Sequence, residues 1–94
     1  MKIGLLTYHW VANYGANLQT LSTYCYLENN GYTPIIINWV PDDAMASYKE
    51  SASEEQIKTH REFIARRCKL TREFSKQSEI EVILKENSFQ KIFF

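Results

Sequence analysis

An α/β fold built on parallel strands is predicted by three observations in the first 40 residues. A near-continuous apolar run, Lys2 to Tyr8 (KIGLLTY), opens the chain. It passes through a polar loop into a helical pattern closed by Asn30-Gly31-Tyr32, and a second apolar run, Ile35-Ile36-Ile37, follows at once. Strands of a parallel sheet are buried on both faces and therefore read as unbroken apolar runs rather than as an alternation. A strand, a loop and a helix ended by glycine form the first β-loop-α unit of such a fold.

Each element has its own signal. The first strand covers Lys2–Thr7 and reaches towards Tyr8, with Gly4 suited to close packing beneath a helix. The first helix is expected from Gly15 or Ala16 to Asn29, with Leu18, Leu21 and Cys25 on its inward stripe and Tyr24 and Leu27 widening it. Gly31 supplies the left-handed residue that stops it. The second strand runs over Thr33–Val40, with Pro34 near its start, where a missing N–H costs least. Pro41-Asp42-Asp43 breaks that strand, and 44–53 reads as a linker without period. Ser53 and Gln56 form a capping box before Ile57, Ile64 and Cys68, which recur at helical spacing up to Lys69. Ser78 and Glu81 form a second such box, opening a short helix with Ile80, Ile83 and Leu84 inward. Phe89–Phe94 starts a third strand expected beside the first, and the chain stops inside it. An apolar strand left in that state is an aggregation template, so residues 1–94 are expected to be the N-terminal part of a longer domain.

The composition is that of an ordinary globular segment: 45% hydrophobic, 14% aromatic, with 11 basic and 11 acidic residues that cancel. No basic excess points to nucleic acid. No apolar run approaches the roughly 20 residues that span a bilayer, and the N-terminus turns polar too early for a signal peptide. Cys25 and Cys68 lack metal-ligand spacing and fall on predicted apolar helix faces, which points to reduced, buried thiols and a cytoplasmic location. The run Arg61, Arg66, Arg67, Lys69 and Arg72 is interleaved with Glu62 and Glu73 at helical spacing, the pattern of a solvated, ion-paired face.

The first loop is the candidate site, because open parallel sheets bind ligands beyond the carboxyl ends of their strands, where a helix N-terminus adds backbone donors. Four residues are placed there. His9 lies just past the strand end and titrates near neutral pH. Asn13 caps the following turn or bonds a ligand hydroxyl. Tyr14 stacks on a ligand or packs against the helix. Gly15, without Cβ, permits positive φ and a close approach to the backbone. Trp10, Thr7 and Gln19 are further candidates at the same crevice.

The string Gly4-Leu5-Leu6-Thr7-Tyr8-His9, followed by Asn13-Tyr14-Gly15-Ala16-Asn17-Leu18-Gln19 and a helix ending Asn30-Gly31-Tyr32, resembles the N-terminus of the polysaccharide pyruvyl transferase family. The resemblance covers residues 1–40 and continues as a similar layout over 60–94. It departs from the family pattern after Gln19, where Thr20-Leu21-Ser22-Thr23 stand in place of small residues and a second Gln. What the resemblance implies is a Rossmann-like parallel sheet forming part of the N-terminal half of a GT-B-like two-domain enzyme. The implied reaction moves a pyruvyl group from phosphoenolpyruvate to hydroxyls of a sugar acceptor in a cell-surface polysaccharide, with no cofactor and no metal. The groups that hold the donor's phosphate would then lie in the C-terminal half of the same protein, and the 94-residue piece alone would be inactive. Two rivals stand beside this reading: half of a sugar-nucleotide glycosyltransferase, and a non-catalytic α/β binding module. A receiver-type module wants acidic residues at its strand ends, and the first Asp is Asp42. A dinucleotide binder wants Gly-x-Gly-x-x-Gly after the first strand, where only Gly15 stands.

Overall fold

The N-terminal apolar run forms β1, Lys2–Leu5, and the second run forms β2, Thr33–Ile36; the helix between them, α1, spans Tyr14–Asn29. The computed structural model describes residues 1–7, 9–11, 13–50 and 52–93, the side chain of Tyr48 excepted. Four further elements follow: α2 (Asp42–Lys49), α3 (Glu54–Arg67), α4 (Ile80–Asn87) and β3 (Lys91–Phe93). The sheet order is β2-β1-β3 and both pairings are parallel, with Gly4 opposite Ile35 on one side and Ile92 on the other. The chain is thus a mixed α/β unit, and its third strand lies beside the first, as expected from the sequence. Part of the expected extension of β1, at Tyr8, and of β3, at Phe94, falls outside the described residues.

Both early strands are shorter than the apolar runs that announce them, and β2 is paired along both of its edges. Ile37 donates its N–H to Leu5 O, whereas Ile36 donates to Lys69 O and Val40 to Phe74 O. An extended segment after α3 therefore lies along the far edge of β2, with parallel bridges Ile36–Leu70 and Trp39–Phe74.

Successive side chains of a strand point to opposite faces, and here both faces are covered. On one, Leu5 and Ile36 pack with Tyr24 of α1 and with Ile64 and Cys68 at the end of α3. On the other, Ile37, Phe74 and Ile83 pack with Leu6, Leu84, Phe89 and Ile92. Gly4 faces this second layer. A Cβ there would stand 2.9 Å from Phe89 Cδ2 and 3.0 Å from Ile37 Cδ1 and Ile92 Cδ1, so the glycine makes room for these side chains.

The helix ends follow their caps. Asn13 Oδ1 accepts from Ala16 N at 3.0 Å and starts α1. Gly31, at φ +84°, closes it. Ser53 and Gln56 exchange both bonds of the expected capping box, each at 3.1 Å. The expected Ser78–Glu81 box is replaced by a 3₁₀ turn, Gln77–Glu79, in which the Glu79 carboxylate accepts from Lys76 N at 3.4 Å.

Two further sequence expectations are corrected. Residues 42–49 form α2 rather than a linker: Asp42 and Asp43 sit in its first turn and Lys49 in its last, charges that complement the helix dipole. The inward stripe of α1 is Asn17, Thr20, Tyr24 and Leu27, while Leu18 is 55% exposed and Cys25 is exposed. The helix is turned by about one residue, roughly 100°, from its apolar period. The polar residues Asn17 and Thr20 face inward because the preceding loop supplies their partners. Cys68 is buried, and that burial pushes its thiol up to about 11. No helix among the described residues is long and apolar enough to cross a membrane.

Candidate functional site

Beyond the carboxyl ends of β1 and β2 the chain leaves a cleft of about 620 Å³, a volume within the range of small-molecule sites. Leu5, Leu6 and Thr7 form its floor at the end of β1. Trp39 and Pro41 bound it after β2, Ala16, Gln19 and Thr23 line it from α1, and Trp10 and Ala44 complete it. The two indoles have different support. Trp39 donates Nε1–H to Ser75 O at 3.1 Å and stays half-buried. Trp10 is 6% exposed within the loop.

None of the described residues lining this cleft is charged. Its polar groups are the hydroxyls of Thr7 and Thr23 and the amide of Gln19, an exposed residue. Thr7 Oγ1 lies 2.9 Å from Thr20 Oγ1, which ties the strand end to α1. Thr23 donates to Gln19 O at 3.0 Å and keeps its lone pairs for another donor. Aromatic faces with a few hydroxyl and amide groups suit a neutral, hydroxylated ligand with an apolar face. An anion would lose its hydration there with no counter-charge from the lining residues.

The four loop residues expected to converge on one ligand take up separate positions, and none is among those lining this cleft. His9 is 3% exposed, with Nε2 2.7 Å from Asn38 Oδ1 and Nδ1 3.2 Å from Thr7 O. Asn38 Nδ2 donates to Thr71 O at 3.4 Å, which turns Oδ1 towards the ring, so both ring nitrogens face acceptors and the neutral imidazole, with one proton, can donate to only one of them at a time. Burial lowers the His9 pKa, while the bonds to Asn38 and Thr7 oppose the shift. Its open side faces a smaller pocket of about 300 Å³ shared with Lys58 and Arg61.

Asn13 is exposed and its side-chain oxygen is used by the cap of α1. Tyr14 is 68% exposed, and its ring lies 4.4 Å from that of His60 at 50°. The positive φ expected of Gly15 is corrected: among the described glycines only Gly31 has one. The helix starts at Tyr14, so Gly15 sits inside its first turn. A Cβ on Gly15 would stand 3.1 Å from Asn13 Oδ1, so here the glycine leaves room for the cap.

Sequence reasoning missed Asn17, Asn38 and His60. Asn17 is fully buried; its Nδ2 donates to Val11 O at 3.0 Å and its Oδ1 accepts from His60 Nδ1. The available signal was His60, a polar residue on the Ile57–Ile64 face of its helix; Asn17 gave none, because the apolar period of α1 places Leu18 inward instead. Of the arginine-rich run, Arg66 pairs with Glu62 at the expected helical spacing, whereas Arg61 pairs with Glu73 and Arg72 with Glu86 across longer stretches of chain, and Arg67 lies 4.0 Å over the Phe63 ring. No family model matches the chain, and neither a curated protein nor a solved structure matches it.

Proposed function

We propose that this chain forms the acceptor side of a polysaccharide pyruvyl transferase, in the N-terminal, Rossmann-like half of a GT-B-like enzyme. The observation that carries the reading is the uncharged, two-indole cleft at the carboxyl ends of β1 and β2. Its position is the one from which open parallel sheets bind ligands, and its lining suits a sugar ring. The Asn13–Gln19 motif adds support, since it opens the helix that forms one wall.

In this account the cleft holds and orients a sugar so that a hydroxyl meets the enol carbon of phosphoenolpyruvate. Trp10 and Trp39 take the C–H face of the ring, and Gln19, Thr23 and Thr7 take hydroxyls. Orientation of this kind lowers the barrier by fixing the reacting atoms before the chemical step. The donor carries a phosphate and a carboxylate, which need positioned cations, and the charge-free lining supports reading this cleft as the acceptor subsite rather than the donor subsite. The donor clamp is assigned to the C-terminal half of the same protein, and the 94-residue chain alone turns nothing over.

The test incubates the natural full-length protein with phosphoenolpyruvate and neutral hexosides, reading phosphate release and ketal formation together. Acceptor-dependent release of phosphate with a pyruvylated sugar supports the reading. Consumption of a sugar nucleotide instead of phosphoenolpyruvate would assign the protein to the glycosyltransferases, and turnover of neither donor would leave a binding module.

A further inference from the structure

Trp10, which walls the cleft, is held by bonds on both sides of it in the chain. On its N-terminal side, the His9 ring is fixed to Asn38 beyond β2. On its C-terminal side, the Val11 carbonyl accepts from Asn17 Nδ2 at 3.0 Å. Asn17 is 0% exposed and both ends of its amide are used. Because Nδ2 faces Val11 O, Oδ1 must face His60, whose Nδ1 therefore carries the proton. His60 is itself 8% exposed, belongs to α3, and lines none of the pockets that hold Trp10, Gln19 or Trp39.

We propose that His60 is a positioning residue for the cleft: by donating to Asn17 it fixes the Val11 carbonyl and with it the place of Trp10 in the wall. Without that donor, Asn17 Oδ1 would be a buried acceptor with no partner, a state costly enough for the amide to turn or the loop to open. Either response releases Val11. The tilted ring contact of Tyr14 with His60 joins the start of α1 to the same support. This inference holds whichever ligand the cleft takes, since it concerns the free protein.

The test uses Trp10 as its own reporter, in the full chain with Trp39→Phe. His60→Phe keeps a planar ring against Tyr14 and removes the donor, whereas His60→Asn returns an N–H near the position of Nδ1. In His60→Phe the Trp10 emission is expected to shift to the red and its acrylamide quenching constant to rise about twofold or more, as local opening exposes the indole. In His60→Asn both should return towards the parent. Trp39, read in a Trp10→Phe background, should stay unmoved by His60→Phe. Unchanged Trp10 emission in a folded His60→Phe chain, no rescue by His60→Asn, or equal shifts of both tryptophans would overturn the proposal. If His60→Phe fails to melt cooperatively, hydrogen exchange in the unaltered protein decides: slow exchange of the Asn17 side-chain amide protons supports the proposal, and exchange as fast as in a free asparagine overturns it.

Discussion

Asn38, just past the end of β2, holds the buried ring of His9 from the β1 loop at 2.7 Å. The contact joins the two strand ends that bound the cleft, and it does so with a titratable group. Burial holds the His9 pKa below the usual 6.5, so at mildly acid pH the unfolded chain takes up a proton that the folded chain resists. His9 therefore contributes full stability above about pH 6.5 and loses it as pH falls from there through its lowered folded value. Urea midpoints are expected to decline between pH 7.5 and 5.5, and His9→Gln should flatten that decline; an equal slope in both proteins would remove His9 as its source.

Gly4 stands under Phe89, Ile37 and Ile92 with no space for a side chain. Gly4→Val overfills this layer and should lower unfolding stability by about 1–3 kcal/mol. Chemical denaturation checks it, and a loss no larger than that of a surface substitution would mean that β1 and β3 separate more easily than their packing indicates.

Asn13 offers a separation of capping from ligand contact. Asn13→Ala removes the bond to Ala16 N and should cost about 0.5–2 kcal/mol, most of which Asn13→Ser restores. Thermal melts of the two variants read the cap. If Asn13→Ser recovers stability but not turnover, the amide has a second role at the ligand.

The apolar runs of β1 and β2, the glycine stop at Gly31 and the Ser53 capping box were legible because each rests on local chemistry. The rotation of α1 was not, since Leu18, Leu21 and Cys25 make a better apolar period than Asn17, Thr20 and Tyr24. The inward residues win through partners distant in sequence: Thr20 meets Thr7, and Asn17 meets Val11 and His60. The helix α2 was hidden for a related reason, its ends being marked by charge rather than by apolar spacing. For the candidate site, the end of β1 was readable as one wall of the cleft. The second wall, Trp39 and Pro41 beyond β2, was not, because it depends on how the chain there pairs with the segment after α3.

Gln19 gives the most direct test of the account, because it is exposed, lines the cleft and lies outside the core. In the natural full-length protein, steady-state kinetics of Gln19→Ala should be measured against the sugar and against phosphoenolpyruvate, with melting temperatures matched. The account predicts that kcat/KM for the sugar falls by about 2- to 10-fold, the worth of one hydrogen bond, while KM for phosphoenolpyruvate and the melting temperature stay as in the parent. An unchanged kcat/KM for the sugar, or a rise confined to the KM for phosphoenolpyruvate, would contradict an acceptor site in this cleft.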